Sequence, residues 1–412
     1  MLAIDPAFQM AFEARIVALA ALSESSEYLV RPSFTPSMKR ANALVGEWMR
    51  AVGMAVREDA VGNLIGRYEA HEPNAPALMI GSHLDTVVDA GRYDGTLGVL
   101  LGVAVVEHLA AANLRLPFAV EVVAFCDEEG LRFHLPYLGS RAVCGTLTAE
   151  QLALTDDDGI SIAEALRLFG GNPERAASAA RRPDELIAYI EAHIEQGPAL
   201  EAAGQPLGIV TAIVGQYRGQ VTFIGEVGHA GTVPMRLRRD ALVAAARFTV
   251  HTAEYAAAVD GLVATVGQLS VQPGASNAIP GRVTLSLDVR HADDALREQA
   301  VHALRRAAER TAAEGRCALE WVDISTTPAV ACAPHLVELL SAAVDGSRPP
   351  QRMVSGAGHD AAQLARLTPM AMLFVRCRGG VSHRPDEFCA AADAEAALRA
   401  LLGAVLALAG AC

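Results

Sequence analysis

A chain of 412 residues is longer than one hydrophobic core usually organises, about 250–300 residues, so more than one domain is expected. A hydrophobic share of 52% describes a well-filled globular protein, and a formal net charge of −13 argues against nucleic acid or an anionic membrane as partner. Seven cysteines, at 126, 144, 317, 332, 377, 389 and 412, are odd in number and form no CxxC pair. That excludes a disulfide framework or zinc ribbon and fits reduced thiols in a cytoplasm.

The N-terminal stretch carries Asp5, Glu13 and Arg15 without a basic leader, so it does not read as a signal peptide. The longest uncharged runs, 96–106 and 400–412, fall short of the ~20 residues that cross a bilayer. A soluble, cytoplasmic protein is expected.

Residues 5–22 and 37–52 are predicted as helices, the second with Leu44, Val45, Trp48 and Met49 on one stripe. Strands follow at 61–68 and 77–80. The apolar run Ala77-Leu78-Met79-Ile80 opens onto Gly81-Ser82-His83-Leu84-Asp85, and the chain reaches Tyr93-Asp94-Gly95 soon after. Residues 96–109 are helical and apolar nearly all round, as for a helix buried against a sheet. The β-branched strand 118–125 ends in Cys126-Asp127-Glu128-Glu129-Gly130. Strands alternating with helices predict an α/β layer with a largely parallel sheet.

Residues 150–183 read as helix and turn, and the polar, alanine-rich segment 172–184 as a solvated helix or loop. Residues 185–195 then deliver Ala192-His193-Ile194-Glu195-Gln196-Gly197-Pro198. Near 215 the character changes. Strand 220–226, helix 238–256, strands 262–271 and 282–289, helix 293–313 and strand 317–323 follow a βαββαβ order. That is the split arrangement of a ferredoxin-like unit. The expected architecture is therefore an α/β domain of 1–214 and 329–412, with an α+β insertion at 215–328. Helix 335–344, helix 360–366, strand 371–376 and helix 391–409 complete the first domain.

Five candidate ligands stand at element ends in the α/β domain: His83, Asp94, Glu129, His193 and His383. A His-x-Asp pair at a strand end is by itself as compatible with a capped turn. Together, imidazoles and carboxylates suit Zn²⁺, Mn²⁺ or Co²⁺ better than Ca²⁺ or Mg²⁺. Five protein ligands exceed the three of one catalytic zinc. They suffice for two ions if one carboxylate bridges. Such ions, ~3.5–4 Å apart, acidify water and polarise a carbonyl. Glu128, next to Glu129, can stay unligated and take a proton from water, which hydrolysis of an unreactive amide requires. Asp85 is expected to orient His83.

Ser355-Gly356-Ala357-Gly358-His359-Asp360 has the form of a dinucleotide loop opening a helix. No strand is evident before it, and Arg378 stands where an acidic residue would be needed. It is read instead as a substrate-side loop whose backbone amides, at Gly358 among others, face the site.

The motifs Gly81-Ser82-His83-Leu84-Asp85-Thr86-Val87, Tyr93-Asp94-Gly95, Asp127-Glu128-Glu129-Gly130, Ala192-His193-Ile194-Glu195-Gln196-Gly197-Pro198 and Gly380-Val381-Ser382-His383-Arg384-Pro385-Asp386-Glu387 resemble the metal-site motifs of the M20 metallopeptidase family, in family order. The resemblance covers essentially the whole chain. It is nearest to the amidase branch of allantoate amidohydrolases, N-carbamoyl-L-amino-acid hydrolases and β-ureidopropionases, which His193 marks. It implies that His83 and His193 bind one ion and Glu129 and His383 the other. Asp94 would bridge, and Glu128 would be the general base. It further implies that the insertion is a lid and homodimerisation domain.

By the same resemblance Arg290 forks onto a substrate carboxylate, and Asn277 serves that carboxylate or the ureido group. On the residues alone Arg290 would pass for a solvated strand-end arginine. Gln196 would hydrogen-bond the ureido group, and His229 would reach the partner subunit's active site to steady an oxyanion. The implied reaction is hydrolysis of a ureido C–N bond, of allantoate first and of an N-carbamoyl amino acid second. A dipeptidase or aminoacylase, or a non-catalytic module on the same fold, are the remaining readings.

Overall fold

The computed structural model describes residues 4–345 and 348–411. Cys412 lies outside them, and the other six cysteines are free thiols. No helix of the described residues is long and apolar enough to cross a membrane. The chain divides into two compact units, Met1–Thr211 with Cys332–Cys412, and Ala212–Ala331.

The first unit is built on a nine-stranded mixed sheet. Its centre is four parallel neighbours, Ala119–Phe125, Ala77–His83, Leu186–Ile194 and Met370–Val375. These strands are almost wholly buried, which is why they read as continuous apolar runs and not as alternations. Antiparallel strands flank them: Leu64–Tyr68 and Ala55–Glu58 on one side, Leu207–Ile213 and Val330–Ala331 on the other. Helix Thr96–Ala111 packs on the sheet with its outer side covered by helices Phe8–Ala20 and Ala391–Ala411. Contact on both sides explains a helix that is apolar all round.

The second unit has the βαββαβ order. Its antiparallel sheet runs Leu269–Gln272, Arg282–His291, Gly215–Ile224, Ala318–Thr327, with Val263–Thr265 also paired to Arg282–His291. Helices Ala241–Ala257 and Asp294–Gly315 cover one face around Phe223, Phe248, Leu285 and Leu304.

Several local expectations need correction. The strand expected at 61–68 starts only at Leu64, because Gly62 (φ 92°) turns the chain and donates to the Asp59 carbonyl. The strand expected at 262–271 is two pieces, Val263–Thr265 and Leu269–Gln272. Segment 172–184 is not simply solvated: it forms two 3-10 turns that bury Pro173, Ala176 and Ala179. A strand, Gln351–Ser355, does precede the glycine loop at 356–358 and pairs with Leu207–Ile213. It was overlooked because its polar, half-exposed face breaks the apolar run. The helix after that loop is a single turn, Ala361–Leu364, so no long helix N-terminus faces the loop.

Candidate metal centre and active site

Three neighbouring parallel strands stop at the same edge of the sheet, where open α/β sheets bind ligands. His83 is the last residue of Ala77–His83, and Glu128 and Glu129 follow Ala119–Phe125. His193 is the penultimate residue of Leu186–Ile194. Asp94 stands just ahead of helix Thr96–Ala111, and His383 lies in the loop after Met370–Val375. Gly95 caps that helix with φ 62°, and a Cβ there would meet His83 Nε2 at 2.4 Å. The position therefore needs glycine both for backbone angle and for space.

All five expected ligands converge. His83, Asp94 and His193 hold ligand atoms within 4.8 Å of one another, as do Asp94, Glu129 and His383. Asp94 divides its two oxygens between the groups. Its Oδ1 lies 3.1 Å from His193 Nε2 and 3.6 Å from His83 Nε2, and its Oδ2 lies 3.2 Å from His383 Nε2. His383 Nε2 is also 3.6 Å from Glu129 Oε1, and Glu128 Oε2 stands 3.9 Å from His83 Nε2. These donor sets are the mixture of neutral imidazole and carboxylate that Zn²⁺, Mn²⁺ or Co²⁺ accepts.

Backbone carbonyls aim the buried rings. His83 Nδ1 donates to the Asp85 carbonyl and His193 Nδ1 to the Ile194 carbonyl, each at 3.0 Å, which turns both Nε2 atoms toward Asp94. Asp85 reaches His83 through its backbone carbonyl, the carboxylate Oδ1 standing 3.7 Å from the ring. That carboxylate instead accepts the N–H groups of Glu128 (3.2 Å) and Glu129 (3.0 Å). It shapes the acidic turn, while its own carbonyl orients the imidazole.

Burial alone would raise Asp94, yet His193, His383 and His83 hold it well below the usual carboxylate range. Burial would likewise keep His83 neutral, but Glu128 and Asp94 raise it well above its ordinary value. His383 is raised to about 9, mainly by its contact with Asp94. Burial pushes Glu128 well up against the pull of His83, with Glu129 and Asp360 adding to it. Glu129 rises to about 7 through burial and the Asp94 charge. A field that raises imidazoles this way is one in which a cation among the carboxylates is stabilised.

Comparison with known proteins agrees with this geometry. Residues 79–407 match the model of Peptidase family M20/M25/M40. The chain belongs to that metal-dependent family, and it is an amidohydrolase of linear amides. It is 44% identical over 366 residues to an N-carbamoyl-L-amino acid amidohydrolase of Geobacillus stearothermophilus, covering 89% of this chain and 90% of the relative. It is 39% identical over 412 residues to a probable allantoate deiminase of Oryza sativa subsp. japonica, covering 90% and 83%. Among solved structures, a hydantoinase/carbamoylase family amidase from Burkholderia multivorans superposes with a TM-score of 0.93 at 34% identity, over 99% and 98% of the two chains.

Glu387, which sequence reasoning passed over, is central to this M20 site. Its buried carboxylate accepts from the N–H groups of Tyr93 (2.8 Å) and Asp94 (3.1 Å), and a Cβ at Gly91 would collide with it. Ser382 Oγ lies 2.9 Å from Asp94 Oδ2 and 3.2 Å from Glu387 Oε2, and Gln196 Nε2 donates to Asp94 Oδ2 at 2.9 Å. Asp94 is thus gripped at backbone and side chain. Glu387→Gln keeps one oxygen for the two backbone N–H groups, which share Oε1, but removes the charge and puts an N–H₂ in place of the Oε2 that faces Ser382. It is expected to weaken metal binding about 10–100-fold, as outer-shell losses usually do, read by calorimetric titration of the metal-stripped protein. Wild-type affinity in that variant would assign Glu387 to packing alone.

Two further neighbours were missed. His359 meets the His193 ring edge-on, centroids 4.6 Å apart, and its Nε2 pairs with Ser355 Oγ at 2.8 Å. Glu191 accepts from Ser82, Tyr189 and the Ala361 N–H beneath the ligands. Only Glu387 had a local signal, its place four residues past His383.

The expected substrate residues fall in both units. Gln196 sits beside Asp94, as above, and Gly358 lies exposed in the loop leading to His359. In the second unit, Gly228–His229 and Ala278–Ile279 form a two-stranded ladder pairing His229 with Ala278. The Ala230 N–H donates to the Asn277 carbonyl, so His229 and Asn277 are neighbours on an exposed turn. His229 Nδ1 accepts from the Gly231 N–H at 3.0 Å, so a neutral ring carries its proton on Nε2. Arg290 is held by Asp288 through Nε (2.7 Å) and Nη2 (3.1 Å), and Gln216 also donates to that carboxylate.

Proposed function

We propose that this M20 amidohydrolase cleaves the ureido C–N bond of a small ureido carboxylate, allantoate in first place, releasing ammonia and CO₂ in the catabolism of purine nitrogen. The observation that carries the reading is the pair of ligand groups sharing Asp94, with Glu128 alongside and in neither of those two groups. In it His83 and His193 would hold one divalent ion, Glu129 and His383 a second, and Asp94 both, with Mn²⁺, Zn²⁺ or Co²⁺ as candidates. Such a pair supplies Lewis acidity toward a carbonyl and acidifies water. Glu128 takes the proton of the attacking water and delivers it to the leaving nitrogen.

Arg290 supplies the fork for the substrate carboxylate, already oriented by Asp288. Asn277, Gln196 and the Gly358 amide serve the carboxylate or the ureido group. In a cytoplasmic homodimer formed through the inserted unit, which would also act as lid, His229 would serve the partner's active site. The stretches 229–235, 355–361 and 372–380 support allantoate. The 44% identity to an N-carbamoyl-L-amino acid amidohydrolase favours the second reading, hydrolysis of N-carbamoyl-L-amino acids.

Ammonia release from allantoate by Mn²⁺-loaded protein, measured beside decarbamoylation of N-carbamoyl-L-amino acids, tests the choice. Turnover of allantoate alone supports the first reading, the reverse pattern the second, and turnover only of dipeptides or N-acyl amino acids sinks both. On the preferred substrate Arg290→Ala is expected to raise KM about 10–100-fold, the loss of a charge-assisted pair. An unchanged KM would place the carboxylate elsewhere.

A further inference from the structure

Tyr137 ends the loop that follows the acidic turn and opens helix Leu138–Val143 from a left-handed backbone, φ 66°. Its N–H donates to the Glu128 carbonyl at 3.0 Å, so its position is tied to the residue assigned as base. The side chain then reaches the glycine loop: a Cβ added at Gly358 would stand 1.8 Å from Tyr137 Oη. Only a glycine there lets the phenol arrive. The next residue, His359, is the one whose ring meets His193. Tyr137 therefore joins two of the loops that enclose the centre.

The hydroxyl that is placed so closely has no hydrogen-bond partner among the described residues. Tyr137 is half-buried and its hydroxyl is not among the sealed polar atoms, so a phenolic O–H without a protein partner is here a donor open to a ligand. The ionisable groups around Tyr137 are the carboxyls of Glu128, Asp360 and Glu129, with the Arg141 guanidinium acting more weakly. Asp360 is engaged by the Ser140 hydroxyl. A carbonyl oxygen, which only accepts, suits a phenolic O–H, which has one proton to donate.

We propose that Tyr137 is a substrate-contacting residue whose hydroxyl donates a hydrogen bond to a ureido carbonyl of the bound substrate. The chemistry named rests on the ureido reading above. The carbonyl belongs either to the ureido group being cleaved or to the second one that allantoate carries.

The test is Tyr137→Phe, which keeps ring and volume, assayed on allantoate and on N-carbamoyl-L-amino acids with metal content and Tm measured in parallel. A KM raised about tenfold, with metal content and Tm unchanged, is the expected result. A rise on every ureido substrate assigns the reacting carbonyl, and a rise on allantoate alone assigns the second group. Gly358→Ala, whose methyl would evict the phenol, should reproduce the rise. KM and kcat within twofold of wild type on all substrates would overturn the proposal. So would a fall in Tm or metal content at unchanged KM, since the hydroxyl would then be structural. If the wild type hydrolyses no ureido compound, the functional reading fails first, and the same comparison on whichever linear amide it does hydrolyse still decides whether the hydroxyl touches substrate.

Discussion

Glu128→Gln is expected to lower kcat by about 10²–10⁴-fold while the protein keeps its metal and its fold, because a positioned general base contributes on that order. The substitution preserves the volume of a buried side chain and removes only the capacity to accept and return a proton. Glu128 lies outside the two groups that contain Asp94, although with His83 and Glu129 it forms a further candidate group, and the metal content is expected to survive on the remaining five side chains. Its backbone is held by Asp85 independently of its carboxyl, so the turn should survive as well. Steady-state kinetics beside elemental analysis of the purified variant would read both quantities. Turnover within a few-fold of wild type would remove Glu128 from the mechanism.

Asp94→Asn should do more, since among the described residues Asp94 is the one shared by the group with His83 and His193 and the group with Glu129 and His383. Its two oxygens face different imidazoles, and Gln196 and Ser382 donate to Oδ2. An asparagine offers one oxygen and turns an N–H₂ toward rings that also need an acceptor or a cation. The expected outcome is loss of most bound metal together with activity. Stability should fall by less than the ~3–5 kcal/mol of an unrelieved buried charge, because the surrounding rings can give up protons. Metal stoichiometry and a denaturation midpoint measure the two effects. Full metal content in Asp94→Asn would mean that the carboxylate does not bridge.

Much of the centre was legible from the chain alone, for a local reason. His83, Glu128, Glu129 and His193 lie at or just past the carboxyl ends of buried strands, so each was marked by an apolar run that stops at a polar residue. The βαββαβ insertion was legible in the same way, through elements long enough to show their periods. Where patterns were short or mixed, reading failed: Gln351–Ser355 is five residues with one face partly exposed, and its presence before the glycine loop went unnoticed.

The candidate donors, their order along the chain and the class of chemistry were thus legible in the sequence itself. Which atom of Asp85 aims His83, and which group holds Asp94 in place, were decided only in three dimensions. The Asp85 carboxylate is drawn to the amides of Glu128 and Glu129, more than forty residues on, once strand Ala119–Phe125 lies beside Ala77–His83. Glu387 reaches the amide of Asp94 across 293 residues, and Gly91 is small because that carboxylate passes it. Hydrophobic periodicity and turn chemistry act over a few residues, whereas these contacts follow from the register of the packed sheet, which no local pattern encodes.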